Sequence, residues 1–149
     1  MGFLLPALIV VILDQISKQI FWSVGNNYDL IDGLLRITLV RNSGAAFGML
    51  QGGRVFLIIS SVLASIFIII LAQRVPKEDL LKRVFLGMIL GGAIGNLIDR
   101  IYPGHVIDFI DMGIGVHRWP VYNFADTAVT VGGILLIITY SLKREPDQL

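Results

Sequence analysis

The chain has 149 residues, of which 55% are hydrophobic and 15% charged, with a mean hydropathy of +0.78. Soluble domains carry roughly 25% charged residues, so this is a membrane protein's composition, on a length that suits one domain over 1–149. A net charge of +1 lacks the concentrated basic face that nucleic acid requires, and the absence of cysteine excludes disulfides, thiol nucleophiles and thiolate metal sites. Two histidines without an HExxH pair give little support for a zinc site.

Four apolar segments, at about 3–24, 55–73, 84–101 and 120–142, each approach the roughly twenty residues a helix needs to cross ~30 Å of hydrocarbon. The first lacks a basic lead and a small-residue cleavage site, and is interrupted by Asp14 and Lys18. It reads as a retained transmembrane helix rather than a secretory signal. Asp14 and Lys18 lie four apart, on one helix face. Each charge at mid-membrane costs ~2.5–3.5 kcal/mol, so an ion pair locking this helix to its neighbours is expected ahead of direct catalysis.

The region 25–53 contains Leu35 to Arg41, part-alternating and β-branched, which predicts a short strand. Asn26-Asn27 and Asp32-Gly33 predict turns, and a small extracytoplasmic sheet on the membrane surface follows. The second span is free of charge, and its Ser60, Ser61 and Ser65 are expected to bond backbone carbonyls. After it come Arg74, Lys77, Lys82 and Arg83, and the tail holds Lys143 and Arg144. The two longer loops contain no lysine, so the basic loop, the tail and both termini are expected in the cytoplasm.

Gly87, Gly91 and Gly95 recur every four residues on the third span, a register that lets helix backbones approach closely. Asn96, Asp99 and Arg100 follow at its outer end. Arg100 reads as a snorkelling residue paired with Asp99, and Asn96, lying deeper, needs a partner such as Lys18 or Asp14. Beyond Pro103-Gly104, which turns the chain back toward the membrane, Asp111 reads as a solvated loop charge. Spacing leaves Asp108 open between a helix-cap or turn residue and a site carboxylate.

Asp126 is the sharper case, a turn into the fourth span past the interfacial Trp119, with Asn123 one turn before it. Were Asp108 to meet it, two close carboxylates would share a proton, and one could take a proton from water while the other gave one to a peptide. That aspartic chemistry needs no metal or other cofactor. Neither His105 nor His117 has a serine partner in view, and no Walker-type phosphate loop is present. A transporter would string polar residues across the bilayer, whereas the second span is nearly featureless. A purely structural subunit would leave Asn123 and Asp126 without a purpose.

Five segments in order, DQISK (14–18), NSGAAFG (42–48), GNLIDR (95–100), VIDF (106–109) and WPVYNFAD (119–126), resemble the motifs of the lipoprotein signal peptidases, also called signal peptidase II. Each is weak alone, and the ordered set covers essentially the whole chain. Tyr122 departs from the phenylalanine often found there and keeps the ring. The resemblance implies four transmembrane helices with a small extracytoplasmic sheet or cradle, and Asp108 and Asp126 as the catalytic pair. It implies supporting or substrate-binding roles for Asn42, Asn96, Arg100, Asn123, Asp14 and Lys18. It further implies a monomer of the bacterial cytoplasmic membrane, in contact with membrane lipid, acting on a diacylglyceryl-modified prolipoprotein and open to inhibitors of the globomycin type.

Overall fold

A computed structural model describes residues 2–25, 28–44 and 52–142. The expected turn at Asn26-Asn27, the greater part of the 42–48 motif and the basic tail residues Lys143 and Arg144 lie outside the described residues.

Among the described residues, four helices are long and apolar enough to span a membrane: α1 (Leu4–Val24), α2 (Arg54–Arg74), α3 (Leu80–Ile101) and α4 (Phe124–Leu142). α3 is the most buried and packs against each of the other three. Its glycines explain why. A Cβ on Gly91 would come within 2.6 Å of the Ala7 carbonyl oxygen, and one on Gly95 within 2.5 Å of an Asp14 carboxylate oxygen. Gly87 faces the Phe3 carbonyl in the same way, so the four-residue register is the seat of α1. Gly92, on the adjacent face, lies against the Ala125 carbonyl of α4. Large apolar side chains such as Leu63, Phe67 and Ile137 point outward, as lipid-facing residues do.

Helix ends need partners for their free carbonyls, and here arginines supply them between helices. Arg54, at the start of α2, donates to the Arg100 and Ile101 carbonyls that end α3, at 2.8 Å each. Arg83, within α3, donates to the Val75 carbonyl just past α2 at 2.7 Å. α3 begins four residues before the sequence-based boundary of 84, with Asp79 accepting from the Lys82 amide, so Lys82 and Arg83 belong to the helix rather than to the loop.

A four-stranded antiparallel sheet lies at the other end, ordered β1 (Tyr28–Ile31), β2 (Leu35–Asn42), β3 (Val106–Ile114) and β4 (His117–Arg118). The expected strand at 35–41 is β2, and the turn before it carries Gly33 at φ 68°. β3 is an addition to the sequence reading, which left 102–119 as loop. Opposite β2, Val40 pairs with Asp108 and Asn42 with Val106. Side chains two apart on a strand share a face, so Asn42 lies diagonally beside Asp108. Phe109, on the alternate face, stacks on Phe21 of α1 with centroids 4.5 Å apart, seating the sheet on the bundle.

Asp111 is not a solvated loop charge. It is 7% exposed on β3 and accepts from Arg118 Nε at 2.9 Å and Thr38 Oγ1 at 3.3 Å. Arg118 also donates to the Asp111 and Gly33 carbonyls, holding the β3–β4 turn and the β1–β2 turn together. The chain from Trp119 to Tyr122 then runs back along β3, with Trp119 N on the Met112 carbonyl and Tyr122 N on the Ile110 carbonyl. This extended run is why α4 begins at Phe124 rather than near residue 120.

Candidate active site

The site forms where β3 descends onto the ends of α3 and α4. Asp108 is 2% exposed, and each of its oxygens takes a carboxamide: Asn42 Nδ2 at 2.9 Å on Oδ2, and Asn123 Nδ2 at 2.7 Å on Oδ1. Asp126 is held by Asn96 Nδ2 at 2.8 Å on Oδ1 and by the Asn123 backbone N–H at 3.2 Å on Oδ2. Asn123, fully buried, therefore touches both aspartates.

The orientation of each amide follows from partners that can only donate. Asn42 Oδ1 accepts the Gly44 N–H and Asn123 Oδ1 the Asp126 N–H, so both must turn nitrogen toward Asp108. Asn96 Oδ1 accepts the Lys18 ammonium at 3.1 Å, which turns its nitrogen toward Asp126.

Beneath the pair, Lys18 is 2% exposed and bonds Asp14 and Asp99 at 2.7 Å each. Gln15 adds a donor to Asp99 at 3.0 Å. Asp14 Oδ1 accepts the Ala125 N–H, so this network ties α1 to α3 and to the amino-terminal end of α4, where a negative charge is favoured. The expected Asp14–Lys18 pair and the Asn96–Lys18 contact are both present. The expected Asp99–Arg100 pairing gives way to Asp99–Lys18, because neighbours on a helix point about 100° apart. Asp99 faces α1, while Arg100 lines the cleft; among the described residues its guanidinium reaches the Asn96 carbonyl at 3.4 Å and its Nε finds no partner.

A cleft of about 630 Å³ opens before the carboxylates. α3 supplies its floor (Gly92, Ala93, Asn96, Arg100), α4 one wall (Asp126, Thr127 and Val129 to Val131) and α2 Ser61, with Met112 and Trp119 to Tyr122 at the sheet end. Asn42, Asn96, Arg100, Asp108 and Asp126 line it, whereas Asn123, Asp14 and Lys18 stand behind. Gln15, Thr127 and Thr130 were not singled out by sequence reasoning; Gln15 sits inside the DQISK segment beside Asp14, and nothing in the sequence marks the two threonines. Ser65 bonds the Ser61 carbonyl at 2.8 Å, as expected of a hydroxyl in an apolar helix.

Burial pushes the Asp108 carboxyl up from 3.8 to about 6; the Asn42 hydrogen bond opposes this, the negative charge of Asp126 adds to it, and Asn123 and Lys18 oppose it. A carboxyl that titrates near neutrality beside a second carboxyl can give and take protons, the equipment for acid–base hydrolysis in a largely apolar cleft.

Membrane-capable helices around a largely apolar cleft headed by two carboxylates fit a polytopic membrane hydrolase as the class. The chain belongs to the signal peptidase II family, whose description, Signal peptidase (SPase) II, matches residues 6–142. It is 42% identical over 151 aligned positions to a lipoprotein signal peptidase of Geobacillus kaustophilus (strain HTA426), covering 99% of this chain and 98% of the relative. Two solved structures, each described as a bacterial membrane enzyme studied by the in meso method, superpose with TM-scores of 0.87 and 0.84 at 34% and 37% identity. They cover 99% and 96% of this chain and 93% and 94% of their own. The chain is thus a multi-pass bacterial membrane protein of a protease family.

Proposed function

We propose that the protein is an aspartic endopeptidase of the bacterial cytoplasmic membrane that removes signal peptides from prolipoproteins. Its substrate carries diacylglycerol on a cysteine, and the cut falls immediately before that cysteine. The observation that carries this reading is the sharing of Asn123 between Asp108 and Asp126 at the head of an apolar cleft.

The cut is made by water. One aspartate takes a proton from the water as its oxygen attacks the scissile carbonyl carbon, and the other donates a proton to the carbonyl oxygen. The resulting diol then collapses: the aspartate that had donated takes back a hydroxyl proton as the C=O re-forms, the C–N bond breaks, and the cysteine nitrogen leaves with the proton the other aspartate took from water. No metal or cofactor enters these steps. Asn42, Asn96 and Asn123 fix the carboxylates, Asp14 and Lys18 support Asn96, and Arg100 offers donors to substrate carbonyls in the cleft.

Basic residues Arg74, Lys77 and Lys82 at the opposite end favour a cytoplasmic location for that end and for both termini. The carboxylates then lie near the outer face, the depth at which a lipid-anchored cysteine holds the bond. The enzyme works as a monomer surrounded by lipid, and globomycin competes for the cleft.

Purified protein in detergent should shorten a diacylglyceryl-modified prolipoprotein, seen as a gel shift, and leave the unmodified precursor intact. Globomycin should abolish the shift. Cleavage of the unmodified precursor at a comparable rate would remove the lipid requirement, and no cleavage of either would overturn the assignment.

A further inference from the structure

We infer that Lys18, which lies outside the cleft, is a positioning residue for Asp126 and acts through the carboxamide of Asn96; the inference rests on the peptidase reading above. The Lys18 ammonium has three N–H bonds, and three acceptors surround it: Asp14 Oδ2, Asp99 Oδ2 and Asn96 Oδ1. The two carboxylates account for its burial. The third bond does something different, because it reaches a side chain whose other end touches Asp126.

A carboxamide can be rotated by half a turn with little change in shape, exchanging donor for acceptor. Rotated, Asn96 would present its oxygen to the Asp126 carboxylate, and the two acceptors would repel. An ammonium cannot accept, so Lys18 forbids that rotation as long as it is in place. Asn123 Nδ2 also donates to Asn96 Oδ1, at 3.1 Å, but shares that nitrogen with a shorter 2.7 Å bond to Asp108. The bond from Lys18 is charge-assisted and the one from Asn123 is neutral, so Lys18 is the stronger of the two locks. It also polarises the amide, strengthening the N–H that Asn96 directs at Asp126. A positive charge that is fully shielded from substrate thus reaches the reacting carboxylate through one intervening side chain.

A second route runs from Lys18 to Asp99, whose Oδ2 accepts the Ile107 N–H at 3.4 Å next to Asp108. The bond is long and ends on backbone, so the Asn96 route dominates.

A double-mutant cycle on the diacylglyceryl-prolipoprotein, read in single turnover so that slow variants are measurable, separates these possibilities. Lys18→Met should lower the cleavage rate about tenfold to a hundredfold while KM changes less than about twofold, since a hydrogen bond to a charged group is at stake. In an Asn96→Ala background the same substitution should cost less than about twofold more. Should Lys18→Met fail to fold, Lys18→Met/Asp14→Asn removes one charge of each sign and is measured against Asp14→Asn. Undiminished rate in Lys18→Met, full additivity with Asn96→Ala, or coupling to Asp99→Asn instead would each overturn the inference. If the parent protein cuts no lipid-modified precursor, the peptidase reading fails first, which is a separate result.

Discussion

Asn123 and Asp126 cap each other across the first turn of α4. Asn123 Oδ1 accepts the Asp126 N–H at 3.0 Å, and Asp126 Oδ2 accepts the Asn123 N–H at 3.2 Å. This reciprocal arrangement is the capping box in an Asn-x-x-Asp form. The interaction that starts the helix also fixes one oxygen of Asp126 and frees the Asn123 amide to hold Asp108. Local structure and candidate chemistry share the same atoms.

Asn123→Ala removes both functions. Loss of the cap costs about 1 kcal/mol, and the Asp108 oxygen left without its donor adds about 1–3 kcal/mol. A lowered melting temperature in detergent, together with a cleavage rate reduced by more than the melt explains, is the expected outcome.

Asp108 should make stability fall as pH rises. Its carboxyl is at about 6 in the fold and near 3.8 ordinarily, so between those values the folded state holds more protons than the unfolded chain. The contribution is fully present below pH 3.8, declines through the interval and is gone above about 6. A displacement of about two units corresponds to about 3 kcal/mol as an upper bound. Melting curves from pH 4 to 7 should show this decline in the parent and a shallower one in Asp108→Asn.

The glycine seat of α1 gives a packing test. Gly91→Ala places a methyl 2.6 Å from the Ala7 carbonyl oxygen and 2.7 Å from Val10 Cβ, and the helices must separate. A loss of about 1–3 kcal/mol is expected. Gly133→Ala, with nothing within 4 Å of the added carbon, should stay within about 1 kcal/mol of the parent. Thermal unfolding of the two variants in one detergent makes the comparison.

The four spans, the glycine register and the Asp14–Lys18 pair were legible because lipid makes charge and large gaps expensive. β3 was not legible. Its partner β2 lies far upstream, with Asn42 and Asp108 separated by 66 positions, and nothing local to 106–114 announces a ladder formed at that distance. Asp111 was misread for the same reason, since Thr38, one of its partners, comes from that distant strand. The α4 boundary was legible in principle, because Asn123-x-x-Asp126 is a helix-start signal. Hydropathy ran past it, because Val121 and Tyr122 continue the apolar pattern while belonging to the run beside β3. Asp126 drew attention by depth alone; its meeting with Asp108 depends on that strand.

The most direct test of the central claim is the cleavage of a diacylglyceryl-modified prolipoprotein by Asp108→Asn and Asp126→Asn, each purified alongside the parent and verified as folded by its melt. Each substitution keeps the side chain's shape and removes its acid–base capacity. Both should leave the precursor unshifted on a gel under conditions in which the parent converts it completely. Near-normal turnover by either variant would contradict the aspartate pair.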